Sequence, residues 1–236
     1  MCGVQAPQVL RAFADVAAVV VPELAPLFGF DQCTPYHIYD VWEHTLHVLE
    51  NAPPDQITKL AALFHDIGKP DCFFIGRSGT GHFKGHAILG GAMTAQIMRR
   101  MRYSNQVREQ VCELVRWHDE NIPPQDAAVR RWLGMLGPRQ MGRLLDLQQA
   151  DSLAKSEKSD TGFAPLLRGR MDRILQQGDC CTLAQLAVNG RDMQQLGLTG
   201  PAIGATLRWL LAQVLQHPDW NQRARLLDLA REHAAL

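Results

Sequence analysis

The sequence has no long apolar run, which excludes several classes of protein at once. Its first apolar stretch, from Phe13 to Val21, is interrupted by Asp15 and ends at Pro22. It is too short to span a bilayer, and it lacks the charged start and small-residue cleavage site of a signal peptide. We therefore expect no membrane association and a cytoplasmic protein.

The sequence also lacks an excess of charge of one sign and a paired cysteine motif. Lys and Arg together number 24, as do Asp and Glu, which argues against a strongly basic nucleic-acid module. None of the six cysteines forms a C-x-x-C pair, and Cys180 and Cys181 are adjacent, a poor geometry for a disulfide. We interpret them as reduced thiols that mostly fill the core. An apolar fraction of 46% is typical of a globular chain.

Apolar residues recur at three- and four-residue steps through most of the chain, which predicts an all-α fold. Strand-like segments are scarce, and the best candidate is the short run 72–75. Gly137-Pro138 predicts a helix break, and Gly200-Pro201 predicts a helix start. We predict an N-terminal helical segment over 1–35 and a histidine-rich helical domain over 36–160. The remaining residues, 161–236, are predicted to form a helical connector near Phe163–Gln177 followed by a small helical C-terminal tail.

The dipeptide His65-Asp66 ends an apolar helix and precedes Gly68-Lys69. Alone it is more typical of a helix C-terminus at which a histidine compensates the dipole than of a metal site. Three further residues share the spacing of inward-facing apolar positions, namely His44, His118 and Asp151. A buried carboxylate needs a compensating cation or metal. The pattern therefore predicts a metal site.

The order His44, His65-Asp66, Asp151 resembles the HD superfamily of metal-dependent phosphohydrolases, whose central motif often reads His-Asp-Ile-Gly-Lys, as residues 65–69 do here. The resemblance implies an all-α HD-domain bundle in which these four residues bind a divalent metal.

Segments 36–46, 150–155 and 189–204 are similar to the HD domain and tail of bacterial CCA-adding tRNA nucleotidyltransferases and poly(A) polymerase relatives. The nucleotidyltransferase head of those enzymes is missing from these residues, so we expect no CCA addition by this chain itself.

Two more histidines, His86 and His118, match the third and fourth histidines of two-metal HD enzymes. The resemblance implies either two metals bridged by Asp66, or one metal with both histidines on the substrate phosphate. Imidazole and carboxylate ligands suit Mn, Fe, Co, Ni or Zn better than Mg.

We expect Asp66 to orient or deprotonate a metal-bound water, and Lys69 to neutralise a phosphoryl oxygen. From its position alone, Lys69 could equally be a solvated lysine at a helix end. His37, His82 and Lys155 are further candidates for substrate contact.

Two functions remain open. The first is a phosphatase or 2′,3′-cyclic phosphodiesterase that acts on nucleotides or nucleotide-like phosphate esters. The alternative is a non-catalytic RNA- or tRNA-binding accessory module with a structural metal, partner of a separate nucleotidyltransferase. The helical segments around 201–233 carry four arginines, which suggest at most weak RNA binding: Arg208, Arg223, Arg225 and Arg231. The alternatives for the tail are a packing appendage or an oligomer contact through Trp209 and Leu210.

Overall fold

The computed structural model describes residues 5–157 and 159–234, and it confirms the all-α fold. The α-helices are α1 (Ala6–Ala12), α2 (Ala14–Val20), α3 (Val41–Asn51), α4 (Gln56–Phe64), α5 (Lys69–Cys72), α6 (His86–Arg100), α7 (Asn105–Trp117), α8 (Asp126–Leu153), α9 (Phe163–Gln177), α10 (Gly190–Gln195), α11 (Pro201–Gln216) and α12 (Arg223–Ala234). Short 3-10 helices cover Pro22–Leu27, Leu183–Gln185 and Pro218–Trp220.

Within the described residues, the only strands form one small antiparallel hairpin. Strand β1 (Phe74–Ile75) lies within the short run that the sequence singled out, and β2 (Gly81–His82) is its partner, with Ile75 opposite Gly81. The hairpin connects α5 to α6. Its importance is local, because it forms part of the wall of the site described below.

The chain divides into two compact units that are each discontinuous in sequence. Unit 1 comprises Met1–Asn121 and Gly142–Pro165, and unit 2 comprises Ile122–Met141 and Leu166–Leu236. These units group residues that lie close together in space. The division of the sequence into 1–35, 36–160 and 161–236 stays a prediction.

In unit 1, α7 packs against α6 and α4, and α3 packs against α4. The facing apolar residues are almost fully buried and include Leu46, Leu49, Leu60, Val111, Leu114 and Val115. Polar caps start the helices: Asp40 accepts from the Glu43 N–H at 2.9 Å, and Ser104 accepts from the Val107 N–H at 3.3 Å.

Helix α8 is broken where the sequence predicted a break. Gly137 has φ +74°, a left-handed conformation that only glycine adopts readily, and Pro138 restarts the helix. In the stretch that follows, Leu144 and Leu147 are fully buried, and Asp151 lies one turn beyond Leu147 on the same face. The part of α8 that follows the break therefore directs the Asp151 carboxylate into the interior of unit 1.

In unit 2, α11 begins at Pro201 as predicted and packs against α10 and α12. The core of unit 2 contains Val188, Met193, Leu210, Val214, Leu226 and Ala230. Leu210 is fully buried there, so it is not available for the predicted oligomer contact, and the Trp209 ring stacks on His233 at 4.0 Å.

The five described cysteines are free thiols. Cys180 and Cys181 are buried as expected, whereas Cys33 is exposed; Cys2 lies outside the described residues. No helix in the part of the chain that the structure describes combines the length and apolarity needed to cross a membrane.

Candidate metal centre

The centre of the site is Asp66, in the tight turn that follows α4. The turn is closed by a hydrogen bond from the Lys69 N–H to the Asp66 carbonyl at 3.0 Å. A Cβ on Gly68 would lie 2.5 Å from the His86 carbonyl oxygen and 2.9 Å from the Gly90 nitrogen. Glycine is therefore required here, because the turn and α6 approach each other backbone to backbone.

One oxygen of Asp66 faces two histidines, and both of these histidines also approach a second carboxylate. The distance from Asp66 Oδ2 to His65 Nε2 is 3.0 Å and to His44 Nε2 3.6 Å. His44 Nε2 also lies 3.0 Å from Asp151 Oδ1, and His65 Nε2 lies 3.9 Å from the same oxygen. All four side chains are buried. The structure thus brings together the four residues predicted as the primary ligands.

The other oxygen of Asp66 faces the second pair of histidines. His86 Nε2 lies 3.3 Å and His118 Nε2 lies 3.6 Å from Asp66 Oδ1. Ligand atoms of Asp66, His86 and His118 lie within 4.8 Å of one another, as do those of Asp66, His44 and His65. Asp66 is therefore common to two groups of three side chains, each of which could hold one ion.

Hydrogen bonds at Nδ1 orient three of the histidine rings so that Nε2 faces this centre. In His65, His86 and His118, Nδ1 lies 2.8, 2.9 and 2.7 Å from the carbonyl oxygen three residues earlier. A carbonyl only accepts, so Nδ1 is the donor in each of these bonds, and Nε2 of each ring faces inward. Metal-binding histidines usually have this arrangement.

Unprotonated Nε2 atoms this close repel one another unless a cation lies between them. His86 Nε2 and His118 Nε2 are only 3.2 Å apart, and when both rings are neutral with the proton on Nδ1 neither nitrogen can donate to the other. His65 Nε2 and Asp66 Oδ2 are buried 3.0 Å apart without a hydrogen bond of good geometry, although Lys69 Nζ lies 2.7 Å from the same oxygen. Nitrogen and oxygen donors of this kind fit a divalent transition metal.

The two carboxylates stay ionised despite their burial. Burial raises the pKa of Asp66, but the neighbouring His65 and Lys69 outweigh it and hold that pKa well below its usual range. Burial likewise raises the pKa of Asp151, and Lys155, with its Nζ 2.6 Å from Asp151 Oδ2, outweighs it. Burial lowers the pKa of His44, which favours the neutral ring that binds metal.

Lys69 is held by three contacts inside the site. Its Nζ lies 2.7 Å from Asp66 Oδ2, donates to Gln32 Oε1 at 2.6 Å, and lies 5.1 Å from the centre of the Phe83 ring. Lys69 is 5% exposed, so it is not the solvated helix-end lysine that its position alone allowed.

A cavity of about 470 Å³ opens onto the centre, and we call it the first cavity. Its lining includes the four residues predicted to contact substrate, which are His37, Lys69, His82 and Lys155, together with Lys84, Gly85 and ligand candidates. Burial, followed by the charge of Lys69, lowers the pKa of His37 to about 3. His37 is therefore a neutral wall residue and not a cationic phosphate contact.

Gln32 is a residue of the site that no sequence pattern indicates. This side chain is 1% exposed; it accepts from Lys69 and donates to the Tyr39 carbonyl at 3.2 Å. It lies in an irregular segment before the predicted 36–160 domain, where neither periodicity nor a motif marks it. Its position is a consequence of tertiary contacts.

Comparison with known proteins agrees with this geometry. The HD domain family matches residues 35–156, which is more than half of the chain. The chain is 34% identical over 200 residues to the CC-adding tRNA nucleotidyltransferase of Thermus thermophilus, covering 82% of this chain and 45% of that protein. It is 33% identical over 220 residues to the A-adding tRNA nucleotidyltransferase of Deinococcus radiodurans, covering 88% of this chain and 50% of that protein. The chain thus spans about half the length of these relatives, and it belongs to the HD domain family.

Proposed function

We propose that this chain is a metal-dependent phosphohydrolase, a phosphatase or 2′,3′-cyclic phosphodiesterase that acts on nucleotides or nucleotide-like phosphate esters. The observation that carries the proposal is the convergence of four imidazole Nε2 atoms on the two oxygens of Asp66. The ligands would be His44, His65, Asp66 and Asp151, with His86 and His118 completing a second position. This donor set favours Mn, Fe, Co, Ni or Zn over Mg.

A divalent metal bound there supplies a water whose pKa lies near neutrality. The Asp66 carboxylate would orient that water or accept its proton. The Lys69 ammonium, fixed by Gln32 and Phe83, presents a positive charge to a phosphoryl oxygen in the first cavity. Lys155 keeps its proton, because Asp151 offsets the effect of burial and raises its pKa, and it adds a second positive charge at the cavity wall.

Metal analysis and a phosphate-ester assay together test the proposal. Purified wild-type protein is expected to retain divalent transition metal and to hydrolyse an aryl phosphate. Asp66→Ala is expected to lose both, whereas Asp71→Ala, an exposed carboxylate in the same segment, is expected to lose neither. Hydrolysis at the wild-type rate by a metal-free Asp66→Ala protein would contradict the proposed metal-dependent mechanism.

A second candidate function is an accessory module that holds tRNA for a separate nucleotidyltransferase. Two observations favour it: the relatives are named as tRNA nucleotidyltransferases, and the basic residues of unit 2 are 11 arginines without a lysine. Arginine is the preferred residue for phosphate recognition. In that case tRNA binding would survive Asp66→Ala, and no phosphate ester would be turned over by the wild type.

A further inference from the structure

A second cavity of about 570 Å³ adjoins the first within unit 1. The two share five lining residues, which are His37, His118, Asp119, Asp151 and Lys155. The remaining wall is formed by Tyr36, Glu120, Gln148, Ser152, Asp160 and Phe163, among others. The volume falls in the range of about 300–1,000 Å³ that is typical of small-molecule sites. A ligand with its phosphate at the metal centre can therefore extend into this second cavity.

The two cavities differ in charge. The first contains three lysines, Lys69, Lys84 and Lys155. Among the described residues that line the second, Lys155 is the only lysine or arginine, and its ammonium is already paired with Asp151 at 2.6 Å. Asp119 lines both cavities, and the carboxylates of Glu120 and Asp160 line the second alone. A second phosphate is disfavoured there, whereas hydroxyl and amino groups that donate hydrogen bonds are favoured.

Two aromatic side chains stand in the wall of the second cavity. Tyr36 is 54% exposed, and its carbonyl accepts from the Ser156 N–H at 2.9 Å, which fixes its backbone. Phe163 is half-buried at the first position of α9. Flat aromatic faces stack on planar rings, and a base–aromatic stack contributes about 1–3 kcal/mol per base.

The acidic part of the wall is also fixed in place. Gln148 donates to the His118 carbonyl at 3.2 Å and to the Glu120 carbonyl at 3.0 Å, so α8 holds the segment 118–120 that follows α7. The carboxylates of Asp119 and Glu120 are therefore presented beside a ligand candidate of the metal centre.

We propose that the second cavity binds the nucleoside of the substrate, with the base against Tyr36 and Phe163 and its donor groups towards Asp119 and Glu120. The proposal rests on the proposed function, because it takes the phosphate to lie in the first cavity. It adds the place in the fold that holds the base and sugar of the substrate, which the proposed function does not specify.

Binding of a nucleoside without any phosphate separates this proposal from the hydrolytic one. Saturation-transfer difference NMR with adenosine is expected to show binding to the wild type. Tyr36→Ala is expected to weaken that binding at least about fivefold, the lower limit for the loss of one base stack. Tyr103→Ala is the matched control, since Tyr103 is outside the lining of both cavities, and it is expected to bind as the wild type does.

A kinetic measurement completes the test. For adenosine monophosphate, Tyr36→Ala is expected to raise KM by a similar factor, and Phe163→Ala is expected to act in the same direction. No adenosine signal with the wild type, or an undiminished signal with folded Tyr36→Ala, overturns the proposal. If adenosine binds at Tyr36 but no phosphate ester is hydrolysed, the proposed function fails and the nucleoside site stands.

Discussion

At the scale of single residues, the site depends on where each histidine lies relative to its helix. His65 and His118 directly follow α4 and α7, where the last carbonyl groups have no partner within the helix. Each ring donates from Nδ1 to one of these carbonyls, which fixes the tautomer and leaves Nε2 free to bind metal. His86 begins α6 and uses a carbonyl of the preceding loop for the same purpose.

The nuclearity of the centre can be tested with single histidine variants. Because Asp66 is shared by two groups of three side chains, we expect about two metal ions per chain. His118→Ala is expected to lower the metal content to about one without unfolding, as measured by elemental analysis alongside circular dichroism.

His47→Ala is the control for nuclearity, since His47 pairs with Glu50 at 2.9 Å near the surface. The one-metal alternative would hold instead if the wild type binds about one metal ion and neither His86→Ala nor His118→Ala changes that number. In that case both histidines would contact the substrate phosphate.

At the scale of elements, the site is assembled by close backbone contact and by helix caps. The turn after α4 contacts α6 through Gly68 and Gly90, which brings His86 towards Asp66. The start of α4 is fixed by Asp55, which accepts from the Thr58 N–H at 3.0 Å and pairs with Arg143 at 3.0 Å. Contacts with other elements therefore hold both ends of α4 in place.

Gly68→Ala tests the close contact. The new methyl group would push α6 away, so we expect a loss of about 1–3 kcal/mol in unfolding free energy and weaker metal retention. Gly169→Ala is the control, because a Cβ there meets nothing within 4 Å and alanine favours the helix. Denaturant unfolding and elemental analysis measure both effects; a Gly68→Ala protein as stable and metal-rich as the wild type would contradict the contact.

Asp55 predicts a pH dependence of stability. Burial raises its pKa, but hydrogen bonds from Arg143 and Thr58 outweigh burial and lower it below the ordinary value of about 3.9. A carboxyl with a lowered folded pKa stabilises the fold above the unfolded pKa and loses that effect as pH falls through the folded value.

We therefore expect Asp55→Asn, which keeps a capping oxygen, to cost up to about 1 kcal/mol at pH 7, and we expect this cost to disappear as pH falls through the folded pKa of Asp55. Asp55→Ala also removes the cap, which costs about 0.5–2 kcal/mol more. Urea unfolding at several pH values measures the difference; a cost for Asp55→Asn that does not change with pH would show that the charge has no role.

At the scale of the whole molecule, charge is distributed unevenly although the chain is neutral. Unit 1 has 13 lysines and arginines against 17 aspartates and glutamates, and unit 2 has 11 arginines against 7 acidic residues. The metal centre thus belongs to the acidic unit. A net negative unit does not attract long polyanions to its cavity.

This distribution predicts a preference for small substrates. At physiological salt, we expect turnover of a mononucleotide phosphate to exceed that of a tRNA carrying the same terminal phosphate, with RNA binding that is weak and falls as salt rises. Steady-state kinetics with both substrates measure the preference. A strong preference for intact tRNA would instead indicate that the arginines of unit 2 form a working RNA-binding surface.

The sequence alone determined the helical class, the break at Gly137 and the start of α11 at Pro201. Its resemblance to the HD superfamily predicts a ligand set of six residues, and the structure brings these side chains close together: His44, His65, Asp66, His86, His118 and Asp151. These follow from local periodicity, from backbone preferences and from a motif that reads along the chain.

Only the tertiary structure decided that Lys69 is enclosed by Gln32 and Phe83, that Leu210 is buried, and that a second cavity adjoins the first. The contacts of Lys69 join residues far apart in sequence or in different elements, and such contacts leave no periodic signal.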